Sequence, residues 1–93
     1  MSITREGDTL HLGGAVTMGT VTALLAGARE VCDANVRILD FSGTTEVDSA
    51  AVAFAIELRR MSSTNGSALE FRNLPDGMRK LIDLYGVGHL LGA

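Results

Sequence analysis

Six residues, Val36-Arg37-Ile38-Leu39-Asp40-Phe41, constrain the fold more than any other stretch of the chain. The run is short, apolar and β-branched. Turn-forming residues bound it, Asp33-Ala34-Asn35 before and the polar segment Ser42 to Glu46 after. That is the pattern of a strand buried in a sheet. The segments that flank it change period. Val21, Leu24, Leu25, Ala28, Val31 and Cys32 recur at helical spacing, and so do Val52, Ala55, Ile56 and the stem of Arg59. A buried strand between two such segments calls for helices laid on a sheet.

The remaining elements follow from local chemistry. Ile3 to Glu6 and Thr9 to Leu12 read as a hairpin around Glu6-Gly7-Asp8, with Gly13-Gly14 ending it. Thr17 is the expected N-cap of the first helix, and Gly27 inside that helix costs about 1 kcal/mol against Ala. The second helix is expected from about Ser49 to Ser63, stopped by Asn65-Gly66. Ala68 to Asn73 alternates as a strand does. Leu74-Pro75-Asp76 opens a third helix with Met78, Leu81, Ile82 and Tyr85 on its apolar side and Gly86 as its cap; Val87 to Leu91 forms a short apolar tail. The expected order is β-β-α-β-α-β-α. It gives an α/β (α+β) fold, a mixed sheet of about four strands with three helices packed on it. Residues 1–93 are expected to form one domain.

Composition narrows the function classes. Hydrophobic residues make up 46% of the chain and aromatics only 4%, so the core is aliphatic. The net charge is −3 and no basic stripe carries aromatics, which argues against nucleic acid. The single cysteine, Cys32, rules out an internal disulfide and suits a reducing compartment. No apolar run approaches the roughly 20 residues that span a bilayer, and the N-terminus has no apolar signal core. The reading is a soluble cytoplasmic domain without direct membrane insertion.

The chemistry-bearing residues are few. His11 and His89 are the only histidines, neither is tied by spacing to Ser49, and no G-x-S-x-G elbow surrounds that serine, so hydrolase chemistry is not expected. The glycines of Gly14 to Thr20 have phosphate-loop spacing, but the lysine that should follow Gly19 is missing. One Cys and two distant His make no metal set, and no cofactor is expected. Met18, Met61 and Met78 read as core filler, and Asp40, Glu46 and Asp48 as solvated acids.

The stretch Thr44 to Arg60 is different. It passes from small polar residues and acids to small and apolar ones, with Asp48-Ser49 at the junction. Either residue can cap the second helix. A hydroxyl there is also exposed at the positive end of a helix, where it can serve as a docking point or as a phosphorylation switch. Ala50, Ala53 and Glu57 fall on one outward line that starts at Ser49. Their small size fits close packing on the sheet or a flat surface that a partner approaches closely.

The strand Arg37 to Phe41, the polar loop, Val47-Asp48-Ser49, a small residue and then an apolar helix together resemble the STAS domain, which bacterial anti-sigma factor antagonists share with MlaB-type subunits of phospholipid-transport ABC systems. The resemblance runs from Asp8 to Leu91. The tail, Phe71-Arg72-Asn73-Leu74-Pro75 followed by Leu81-Ile82-Asp83-Leu84-Tyr85-Gly86-Val87 and Leu90-Leu91, is similar to the MlaB branch. The family often has Gly after the Ser/Thr, where Ala50-Ala51 stand here.

The resemblance implies a non-catalytic adaptor that binds the cytoplasmic ATPase subunit of a phospholipid transporter and reaches the inner membrane only through that complex. Ser49 is carried over as the partner-contact residue, with Asp48 holding the loop and Ala50, Ala53 and Glu57 beside it. In the alternative branch Ser49 is the serine phosphorylated by an anti-sigma factor kinase.

Overall fold

The computed structural model describes residues 2–31, 33, 35–64 and 69–91. The expected places of Cys32 on the first helix, of Ala34 in its closing turn, of Asn65-Gly66 as a helix stop and of Ala68 in a strand lie outside the described residues.

The elements follow the expected order. Strands β1 (Ser2–Glu6) and β2 (Thr9–Val16) precede helix α1 (Val21–Val31). Then come β3 (Ile38–Val47), α2 (Ser49–Thr64), β4 (Glu70–Arg72) and α3 (Asp76–Tyr85), and a 3-10 turn at Gly88–Leu91 follows. The four strands lie side by side as β1-β2-β3-β4. The hairpin β1–β2 is antiparallel, while β2–β3 and β3–β4 are parallel. The sheet is therefore mixed.

One face of the sheet is apolar. Leu10, Leu12, Leu39 and Phe41 point into a single cluster with Leu24 and Ala28 of α1, Val52, Phe54, Ala55 and Leu58 of α2, and Met78 and Ile82 of α3. Phe41 and Phe71 meet in a tilted pair with ring centroids 6.4 Å apart. The opposite face carries polar side chains. Thr4, His11, Asp40 and Arg72 align across all four strands on that side.

Two expected boundaries are corrected. Gly13-Gly14 does not end β2, and Ser42 to Glu46 is not a loop. Both segments are strand, and they pair with each other: Gly13 lies opposite Gly43, Gly14 opposite Thr44 and Val16 opposite Val47, with register shifts on either side of Gly13-Gly14. The shifts bring backbones close. A Cβ on Gly43 would stand 2.8 Å from the Leu12 carbonyl oxygen, so a side chain there would force the strands apart. The glycines thus mark a bulged parallel pairing where turn chemistry reads the same from sequence. The polar residues of β3 survive in a strand because Ser42, Thr45 and Glu46 face solvent.

Helix α1 also starts differently. The Thr17 side chain does not cap it. Thr17 opens a turn in which its carbonyl accepts the N–H groups of Thr20 and Val21. The Thr20 hydroxyl locks that turn by donating to the Ala15 carbonyl at 2.9 Å while accepting the Thr17 N–H at 3.0 Å. Gly27 has a packing reason: a Cβ there would come within 2.8 Å of Ile3 Cγ2, so its absence lets α1 lie directly on β1.

Helix α3 matches expectation at both ends. Pro75 sits at its N-cap with φ −60°, and Gly86 closes it in the left-handed conformation at φ 65°. Tyr85, expected on the apolar side, is instead 51% exposed, as is its neighbour Leu84 at 76%. Met18 is corrected as well. It is 78% exposed and fills no core, whereas Met78 is fully buried.

Candidate functional site at the start of the second helix

The parallel strands β2 and β3 run to Val16 and Val47, and α1 and α2 begin just beyond them. The carboxyl end of the sheet therefore gathers two chain reversals, and Asp48 ties them together. Its Oδ1 accepts the Ala50 N–H at 2.8 Å, which makes it the N-cap of α2. Its Oδ2 accepts the Met18 N–H at 3.1 Å, from the loop that leads into α1. The expectation of Asp48 as a merely solvated acid is corrected: it is half-buried and structural. Of the two expected cap residues, Asp48 does the capping.

Ser49 is left free by that arrangement. It occupies the first turn of α2, is exposed, and its hydroxyl makes no hydrogen bond to any described residue. Ala50 is half-buried and Ala53 exposed. Glu57 is half-buried and holds Arg60 at 2.9 Å on the same helix. Ala51 and Ala55 point the other way and are fully buried. The structure thus splits the small residues of α2. Ala51 and Ala55 let the helix lie close on the sheet, while Ala50 and Ala53 leave the outward side low beside Ser49. Met18, held by its backbone to Asp48, adds an exposed thioether to this surface. Sequence reasoning missed it because a methionine just ahead of a helical pattern reads as core.

The other acid singled out, Asp40, stands apart from Ser49 on the polar face of the sheet. Its Oδ1 accepts the Asn73 side-chain amide at 2.9 Å and the Ser42 N–H at 2.9 Å. Its Oδ2 lies 3.4 Å from His11 Nδ1. The Asn73 bond, against the opposing effect of partial burial and with help from Ser42 and His11, holds the Asp40 carboxyl below its ordinary value. Asn73 itself adopts a positive φ of 57°. His11 reaches no serine among the described residues; its neighbours are Asp40 and, at 4.0 Å, Glu6. Among the described residues no group of three or more His, Cys, Asp or Glu side chains is placed to hold a metal ion. None of the helices so described is long and apolar enough to cross a membrane.

A family model described as "Mlab, STAS domain" matches residues 1–92. The chain belongs to the MlaB-type STAS family. Among solved structures, the anti-sigma factor antagonist SpoIIAA in its unphosphorylated form superposes with a TM-score of 0.63 at 18% identity, over 89% of this chain and 81% of that one. A crystal structure of Mglu matches with a TM-score of 0.60 at 22% identity over 81% of this chain. This STAS domain corresponds to only 20% of the Mglu chain. At these identities the structural likeness establishes the fold, and the element order of this STAS domain is that of SpoIIAA. No curated protein sequence matches the chain.

Proposed function

We propose that this chain is a non-catalytic regulatory subunit that docks on the cytoplasmic ATPase of an ABC system for phospholipid, through the N-terminal end of α2. The observation that carries the reading is the unused, exposed hydroxyl of Ser49 beside the low surface of Ala50 and Ala53. Asp48 has already satisfied the helix start, so Ser49 is not needed for the fold. A hydroxyl in that position offers one donor and two acceptor lone pairs to a partner that comes close. The membership of the MlaB-type family supports the choice of partner. In this reading chemistry stays on the ATPase, and the chain meets the inner membrane only through the complex.

The test is co-purification with the ATPase subunit, paired with thermal melting of each variant. Ser49→Thr should retain the complex, because the hydroxyl stays and the added methyl is small. Ser49→Asp should lose it with the fold intact, because a carboxylate beside Asp48 would have to be desolvated at the contact. Binding by Ser49→Asp at the wild-type level would reduce Ser49 to a surface residue and end the proposal.

The same free hydroxyl favours a second reading, an anti-sigma factor antagonist switched by a kinase. A phosphate on Ser49 would bring roughly −1.5 to −2 charges next to Asp48. Phosphorylation of Ser49 detected by mass spectrometry in the native cell, with a kinase and sigma factor encoded nearby in place of transporter genes, would choose this reading over the first.

A further inference from the structure

The loop between β2 and α1 is short and braced, and it displays a methionine. The Thr17 carbonyl accepts the N–H groups of Thr20 and Val21. The Thr20 hydroxyl closes the turn on the Thr17 N–H and the Ala15 carbonyl. The Met18 N–H donates to Asp48 Oδ2 at 3.1 Å. With its backbone held in this way, the Met18 side chain is still 78% exposed.

Single exposed apolar residues are ordinary on protein surfaces. Met18 differs in what holds it. Asp48 fixes its backbone and, with the other carboxylate oxygen, caps α2 directly ahead of Ser49. Met18 and Ser49 are therefore carried by one hydrogen-bonded unit. A standard contact covers roughly 800 Å² on each partner, far more than separates two residues tied to one carboxylate. A partner that docks at Ser49 covers Met18 as well.

The side chain brings chemistry that a leucine would not. A thioether is oxidised by peroxide, and access decides which one reacts. The described methionines differ widely in access. Met78 is fully buried, and Met61 is half-buried against the core. In the reaction a sulfur lone pair attacks one oxygen of hydrogen peroxide and the O–O bond breaks. The hydroxide that leaves takes up the proton released from the transferred oxygen and departs as water. Sulfur gives up two electrons and the peroxide gains them. Two thiols return the electrons in the reverse sense, yielding a disulfide, water and the thioether. The sulfoxide is polar and carries a strong acceptor oxygen. No hydrogen bond of the loop uses the sulfur, so the fold tolerates the change. A contact that covers the side chain does not, because the new oxygen must be desolvated there.

We infer that Met18 is a redox-sensitive modification site, whose oxidation by peroxide to methionine sulfoxide withdraws an apolar contact from the Ser49 surface and weakens docking. The inference rests on the docking reading above and adds a reversible regulator to it.

The test treats the purified chain with dilute hydrogen peroxide and follows each methionine by peptide mass spectrometry. Binding to the ATPase subunit is then measured by calorimetry, with thermal melting as the check on the fold. Met18 should oxidise about tenfold faster than Met78 or more. The oxidised chain should melt like the untreated one and bind about tenfold more weakly. The two thiol-dependent reductases that act on the two sulfoxide epimers should restore binding. Met18→Leu keeps Cys32 and the other methionines but has no sulfur at this position. It should bind like the wild type and stay unchanged by peroxide. The inference is overturned if Met18 oxidises no faster than Met78. It is also overturned if the oxidised chain binds as well as the untreated one, or if Met18→Leu loses as much affinity on treatment as the wild type. An untreated chain that does not bind the ATPase subunit at all ends the docking reading and this inference with it; equal binding before and after oxidation ends this inference alone.

Discussion

Met18 and Asp48 are joined by a 3.1 Å hydrogen bond from the Met18 N–H to Asp48 Oδ2, while the other carboxylate oxygen caps α2. One side chain therefore sets both the start of a helix and the position of the loop that precedes another. The loop presents Met18, the most exposed large apolar residue among those described, and its backbone is tied to the residue that precedes Ser49.

Asp48→Ala should cost about 1 kcal/mol of stability, the usual cost of a lost N-cap. It should also raise hydrogen exchange at the Met18 and Ala50 amides ahead of the rest of the chain. Asp48→Asn, which can still accept from Ala50, should lose clearly less. Urea unfolding and native-state exchange measure both effects. Equal stability of the alanine variant and the wild type would remove Asp48 from the role given to it.

Gly27 and Ile3 should behave as a coupled pair. Gly27→Ala gains about 1 kcal/mol in helix propensity but places a methyl 2.8 Å from Ile3 Cγ2. Overpacking of that kind costs about 1–3 kcal/mol, so the single variant should be neutral or destabilised. In an Ile3→Ala background the same change should stabilise. A double-mutant cycle by urea unfolding gives the coupling, and additive effects would mean that α1 does not rest on β1 as described.

At Asn73 the backbone and the side chain pull in different directions. Its φ of 57° suits Gly, while its amide is bonded to Asp40. Asn73→Gly should lose the bond yet keep the conformation cheaply, for a cost of about 1 kcal/mol. Asn73→Ala should lose both and cost about 2 kcal/mol. If alanine proves the milder of the two in thermal unfolding, the left-handed backbone at this position is wrong.

Acid should destabilise the fold partly through Asp40 and Asp33. Asp40 is lowered from its ordinary value of 3.8 chiefly by Asn73, and Asp33 chiefly by its hydrogen bond from Arg5. A carboxyl that is more acidic when folded stabilises the native state fully above its unfolded value and loses that contribution as pH falls through its folded value. Stability should therefore decline below about pH 4. Asp40→Asn should flatten part of that decline, and added salt should weaken the exposed Asp33 part. Identical acid limbs for Asp40→Asn and the wild type, measured by urea midpoints across pH, would contradict the Asp40 account.

The order of elements was legible because it is written in periodicity. Leu24 and Ala28, Val52 and Ala55, and Met78 and Ile82 all fall on buried helix faces as their spacing predicts. The caps of α3 were legible because Pro75 and Gly86 each restrict or free φ in a way that only a helix end uses. The lengths of β2 and β3 were not. Gly13, Gly14 and Gly43 signal a turn by local chemistry, and only the pairing partner, distant in sequence, turns them into strand. Around Ser49 the residue types could not separate cap from free hydroxyl, since Asp and Ser cap equally well.

The parallel pairing of β2 with β3 has a consequence for how the chain assembles. The hairpin β1–β2 is local and can close within microseconds, but it gains its apolar partner only after all of α1 has been made and folded back. Until then the Leu10 and Leu12 side of the ribbon is bare. The non-local pairing of β3 with β2 is thus the expected slow step, and refolding rates should respond to changes at Leu39 and Phe41 more than to changes at the three-residue β4.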